Sequence, residues 1–172
     1  MISTLGMVLI LFAGTMIGFQ QAAKYTDRTA QLRQLAHALQ RLETEIGYGQ
    51  TPLPVALERA AGHTRGPVQE LFREAAQRLL LEDGSSFHEC WEGTLEAGWG
   101  RTAMRQSEKA SLSRLGAALG ISDREDQMKH LRLAMLQIQT EEETAREEQA
   151  RYSKMWKSLG VLAAALVVIL IV

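Results

Sequence analysis

The chain has 172 residues with 19 basic and 20 acidic side chains, a net charge of −1. That balance gives no electrostatic case for nucleic acid. The single cysteine, Cys90, excludes an internal disulfide and fits a reducing compartment.

The charges are unevenly placed. Residues 1–23 and 158–172 carry no Asp, Glu, Lys or Arg, so every charged residue falls between Lys24 and Lys157. Ile2 to Phe19 is apolar or small throughout. As a helix, residues 2–23 reach roughly 33 Å, enough for a bilayer core of about 30 Å. No Lys or Arg precedes this stretch, as a signal peptide would require, and Lys24, Arg28 and Arg33 follow it. The expectation is a retained N-terminal transmembrane helix over 1–23, with its basic flank in the cytoplasm.

The helical middle comes next. Leu32, Leu35, Leu39, Leu42 and Ile46 step 3, 4, 3, 4 along one face, which predicts a helix over about 26–46. A corner follows, Gly47-Tyr48-Gly49-Gln50-Thr51-Pro52. The two glycines predict positive φ angles that stop a helix, and Thr51 is expected to cap the next one, with Pro52 at its first position. The second helix is expected from Pro52 to Ala61, stopped by Gly62. The third starts near Pro67 and turns Val68, Leu71, Phe72, Ala75, Leu79 and Leu80 inward until Asp83-Gly84 breaks it. Ser86 with Glu89 predicts a capping box for a fourth helix carrying Phe87, Trp91 and Leu95. Gly98 and Gly100 end that helix. The fifth, over 107–119, presents Leu112, Leu115 and Leu119; Gly120 stops it, and Ser122 with Glu125 predicts another capping box.

The sixth helix has no Gly or Pro from Asp123 to Tyr152, about 45 Å. Its apolar stripe (Met128, Leu131, Met135, Ile138) fades after Ile138. The Glu142–Arg146 and Glu147–Arg151 spacings then predict a solvated stalk held by i,i+4 pairs. The stalk leads into a charge-free C-terminal segment, Leu159 to Val172, preceded by Arg151, Lys154 and Lys157. Fourteen residues span about 21 Å, and counting from Met155 gives about 27 Å if Lys157 reaches back to the head groups.

The expected architecture is therefore all-α: a bundle of about six helices with an N-terminal and a C-terminal transmembrane helix. The divisions are 1–23 membrane, 24–157 cytoplasmic domain ending in a long stalk helix, and 158–172 membrane. Both termini are expected outside. The small pairs Gly14/Gly18 and Gly160/Ala164, four residues apart, are candidate positions for intramembrane packing and leave self-association open.

No catalytic, cofactor or metal site is predicted. His88-Glu89-Cys90 attracts attention as a metal cluster, but residues i and i+2 of a helix point apart. Four residues after His88 stands Glu92, not a His, so the zinc-protease pattern fails. Gly47-Tyr48-Gly49 lacks the third glycine and the preceding strand of a dinucleotide loop. Glu43 and Glu45, two apart, face different ways. Glu141, Glu142 and Glu143 read first as a solvated face. Trp91 reads as core, Trp156 as membrane interface, and Trp99 fits either core or surface.

The chain resembles the stage III sporulation protein AB family of endospore-forming bacteria. The residues that carry the resemblance begin with Gly18, Ala22, Tyr25 and Arg28 after the first apolar stretch. They continue through Leu32-Arg33-Gln34-Leu35 and the corner Leu42-Glu43-x-Glu45-Ile46-x-Tyr48-Gly49-x-Thr51-Pro52-Leu53. Leu115-Gly116, Leu119-Gly120-x-Ser122-Asp123-Arg124-Glu125-x-Gln127 and Tyr152-x-Lys154-Met155-Trp156-Lys157-x-Leu159-Gly160-Val161 complete it. The loop Gly98-Trp99-Gly100-Arg101-Thr102 departs from the family by its glycine content. The resemblance implies a soluble domain similar to that of the type II secretion platform, the inner-membrane F component. It also implies a place in a channel complex between mother cell and forespore, with a cytoplasmic ATPase as partner. Candidate contacts are Tyr48, Gly49 and Gln50 at the corner and Glu141, Glu142 and Glu143 on the stalk. The competing readings are a membrane-tethered adaptor outside secretion and a metal-dependent enzyme using His88 and Cys90.

Overall fold

A computed structural model describes residues 2–49, 51–81, 84–120 and 123–171, without the side chains of 2–22, 153, 154, 156–158 and 160–171. Six α-helices follow in order: α1 Ile2–Gly47, α2 Leu53–Ala61, α3 Gly66–Leu81, α4 Phe87–Gly98, α5 Gln106–Leu119 and α6 Arg124–Ile171. A single 3-10 turn, Trp99–Arg101, joins α4 to the α5 approach. Among the described residues there is no strand, so the all-α expectation holds. The chain divides into two compact units, one of residues 1–29 with 144–172, the other of residues 30–143.

The 30–143 unit contains the core. All five residues of the predicted α1 stripe, Leu32, Leu35, Leu39, Leu42 and Ile46, are buried. Each such side chain stabilises the fold by about 1.5–3 kcal/mol relative to exposure, which is what holds this part of α1 in place. Trp91 of α4 is the largest fully buried side chain. Its indole N–H donates to the Leu112 carbonyl of α5 at 2.8 Å, and Phe72 meets it edge-on at a centroid distance of 5.7 Å. Gly116 is the reason the indole fits: a Cβ there would lie 2.9 Å from Trp91 Cγ and Nε1. Trp99 also joins the core, at 6 % exposure. Leu80 does not follow the α3 expectation. It is 64 % exposed beside Leu81 at 82 %, in the last turn of α3.

The helix boundaries confirm part of the sequence reading. The capping box of α4 forms in both directions: Glu89 N–H donates to Ser86 Oγ, and Ser86 N–H to Glu89 Oε2. These bonds hold the Glu89 carboxyl below the usual carboxylate range, the backbone N–H of Ser86 contributing most. Gly84 has φ 91° and supplies the positive-φ break before α4. Ser122, Asp83 and Gln50 lie outside the described residues. At the start of α6 the observed side-chain cap is Asp123, which accepts from the Asp126 N–H at 2.9 Å.

The 1–29/144–172 unit pairs the two long helices antiparallel. Tyr25 stacks on Tyr152 at 4.1 Å between ring centroids. Gln149 donates to Thr26 Oγ1 at 3.2 Å, and Arg28, only 3 % exposed, meets Glu148 at 3.2 Å. Ala145 is buried as well. The late part of α6, expected to be solvated, therefore has a helix partner here. The sequence signal was hidden because the contacts use a small residue and polar groups instead of an apolar stripe. Among the described residues, no helix is long and apolar enough to cross a membrane. The packing expected at Gly14, Gly18, Gly160 and Ala164 lies outside the described side chains.

Candidate functional site

The corner between α1 and α2 is organised by one carboxylate. Glu45 occupies the last turns of α1 and is 5 % exposed. Its Oε2 accepts from Arg59 Nη1 of α2 at 2.7 Å and from Thr51 Oγ1 at 2.9 Å. Its Oε1 faces Arg41, one turn back on α1, at 3.0 Å. The Arg59 and Thr51 hydrogen bonds favour the charged form and hold the Glu45 carboxyl below the ordinary range. The Thr51 N–H adds a bond to the Glu45 carbonyl at 3.3 Å. One residue thus ties the helix, the loop and the next helix together.

This arrangement overturns the expected role of Thr51. The residue at the N-cap of α2 is Pro52, whose side chain makes no capping bond. The Thr51 hydroxyl is given to Glu45, because a charge-assisted bond outweighs a neutral cap. The expected role of the two glycines changes too. Among the described residues only Gly66 and Gly84 have positive φ. Gly49 is required for space, whereas at Gly47 only the flexible end of a side chain stands in the way. A Cβ on Gly47 would stand 2.7 Å from Met128 Cε, and one on Gly49 would stand 2.7 Å from Thr51 Oγ1 and 2.8 Å from the Glu45 carbonyl oxygen.

Arg124, the first residue of α6, fastens the corner from the other side. Its Nε donates to the Ile46 carbonyl at 2.9 Å, and its Nη2 to the Gly47 carbonyl. Next to it is a shallow depression of about 290 Å³ lined by Ile46, Thr51, Leu53, Leu119, Arg124 and Gln127. Tyr48 stands out of the corner at 83 % exposure, with Gly49 exposed beside it. The backbone that leads into Tyr48 is held at Glu45 and Gly47.

The second set of candidate residues is elsewhere. Glu142 is not a solvated carboxylate: it accepts from Arg33 Nε of α1 at 3.1 Å, and its side chain is 12 % exposed. Glu141 is half-buried and Glu143 exposed. Arg33 and Gly47 are fourteen residues apart on α1, about 21 Å, so the corner and the Glu141–Glu143 run are two places. Glu43 pairs with Arg132 of α6 at 2.7 Å. Cys90 is buried, and the half-buried His88 has its Nδ1 enclosed without a partner. Among the described residues no three His, Cys, Asp or Glu side chains converge to hold a metal.

The sequence matches the family model for Stage III sporulation protein AB over residues 3–172. The chain belongs to the stage III sporulation protein AB family. It is 41 % identical over 172 residues to Stage III sporulation protein AB of Bacillus subtilis (strain 168), covering 99 % of both chains. A solved structure of a Stage III sporulation protein AB superposes with a TM-score of 0.68 at 37 % identity, covering 73 % of this chain and 98 % of that one. The family places this chain among proteins of sporulation. Glu45 stands in the corner motif that the sequence displays, whereas Arg59, Arg124 and Met128 are not marked as corner residues by the sequence. Only the Arg41–Glu45 i,i+4 spacing was visible in advance, since the others meet through tertiary packing.

Proposed function

We propose that this member of the family is a non-enzymatic platform of a secretion-like channel complex between mother cell and forespore. Residues 1–23 and 158–172 cross the membrane, with both chain ends outside, and residues 24–157 face the cytoplasm. The corner is the docking point for a cytoplasmic ATPase, which the platform couples to the membrane components. The observation that carries this reading is Tyr48, an 83 % exposed aromatic on a turn fixed by the Glu45–Arg59 pair. The charge-free ends of the sequence support the membrane assignment.

The test uses the full-length protein in sporulating cells. The Tyr48→Ala variant should reach normal levels and remain in the membrane fraction after alkaline extraction. Its co-purification with the ATPase should fall about tenfold, as expected for a central aromatic anchor. Release of the wild-type protein by alkali, or unchanged ATPase recovery with Tyr48→Ala, would count against the proposal.

A further inference from the structure

The depression beside the corner has one uncompensated chemical property. Its apolar walls come from three helices: Ile46 of α1, Leu53 of α2 and Leu119 of α5. Two of its polar groups are already engaged. The Thr51 hydroxyl donates to Glu45, and the Gln127 amide donates to the Leu119 carbonyl at 2.9 Å. Arg124 is different. Among the described residues it bonds only main-chain carbonyls at the C-terminal end of α1. A helix end carries about half a negative charge, so roughly half of the guanidinium charge stays unmatched. Among the described residues no carboxylate pairs with Arg124. Its neighbours Glu125 and Asp126 are directed along α6 toward Lys129 and His130, each at 3.8 Å.

We infer that this depression is a socket for an acidic–apolar segment of a partner protein, with a carboxylate on Arg124 and an adjacent apolar side chain among Ile46, Leu53 and Leu119. Charge complementarity selects the occupant. A carboxylate forms a charge-assisted bond with a guanidinium that the protein has already oriented, whereas a basic segment would be repelled. The volume of about 290 Å³ and the open shape suit one or two side chains better than an enclosed small molecule. Tyr48, exposed one residue after the Gly47 carbonyl that Arg124 holds, adds an aromatic at the same corner, and Tyr and Arg are among the residue types that most often dominate binding energy. The inference rests on the docking reading of the corner and specifies the chemistry of what docks.

The experiment places a photocrosslinking amino acid at Val55, which is 42 % exposed on α2 and does not line the socket. The full chain is crosslinked in sporulating cells, and the captured segment is identified by mass spectrometry. The segment should carry Asp or Glu within four residues of Leu, Ile, Val or Phe. Changing that carboxylate to Lys should cut the yield at least tenfold, and Arg124→Glu should restore it. Leu53→Glu adds a like charge at the first position of α2, where a carboxylate suits the helix start, so folding is retained and the yield should also fall. Capture of a basic segment, no capture, or yields indifferent to both Arg124→Glu and Leu53→Glu overturn the socket. Recovery of the ATPase without any Val55 crosslink ends the socket but leaves the platform reading. An acidic segment from a protein other than the ATPase upholds the socket and ends the ATPase assignment.

Discussion

Arg59 of α2 places its Nη1 2.7 Å from Glu45 Oε2 on α1, across the one corner that joins these helices. The pair carries a pH signature. The folded-state pKa of Glu45 lies below its ordinary value of 4.5. Its stabilisation is therefore present above about pH 4.5 and is lost as pH falls through the folded pKa. Glu45→Gln should lower the melting temperature at pH 7, and the gap to wild type should narrow as pH falls below about 4.5. Thermal melts followed by circular dichroism measure this, and a gap of constant size would argue against the pairing. Glu89 keeps its own acid dependence in both proteins, since its partner Ser86 is untouched.

The corner glycines make opposite predictions. Gly47→Ala meets only the flexible end of Met128, and the alanine gains up to about 1 kcal/mol of helix propensity, so stability should change little or rise. Gly49→Ala meets the Glu45 backbone carbonyl and Thr51, neither of which can withdraw without breaking the turn, and should destabilise. Equal losses at both positions in urea titrations would instead indicate a shared backbone requirement, as the sequence alone suggested.

Gly116→Ala drives a methyl group into Trp91, which is buried and held by its bond to Leu112. Overpacking of this kind costs about 1–3 kcal/mol. Gly100→Ala is the control, since nothing lies within 4 Å of the added carbon. A Gly116→Ala protein as stable as the control would mean that the indole can move.

Charge reversal over Glu141–Glu143 mixes two effects that single changes separate. Glu142→Lys breaks the pair with Arg33, and a double-mutant cycle should return about 0.3–1 kcal/mol of coupling. Glu143 is exposed, so Glu143→Lys should leave stability within about 0.5 kcal/mol. It is the cleaner probe of partner binding. If ATPase recovery is insensitive to Glu143→Lys, that residue leaves the docking surface.

Much of the architecture was legible before any coordinates. The 3, 4, 3, 4 spacing of Leu32 through Ile46 defines a buried helix face by geometry alone, and Ser86–Glu89 defines a helix start through bonds that are local in sequence. The family was legible too, because its pattern runs through the corner and the chain ends. Local spacing cannot decide which distant groups meet. Thr51 is a plausible cap until Arg59 and Glu45 offer its hydroxyl a charged acceptor. Gly47 and Gly49 look like positive-φ residues until Met128 and the Glu45 carbonyl occupy the space beside them. Glu142 reads as solvated until Arg33 lies across from it. The sequence determined where the helices run and which faces are apolar, since those depend on neighbours within a few residues. Only tertiary structure decided the Glu45–Arg59 contact and the contacts of Arg124, since those partners lie 14 and 77–78 residues away along the chain.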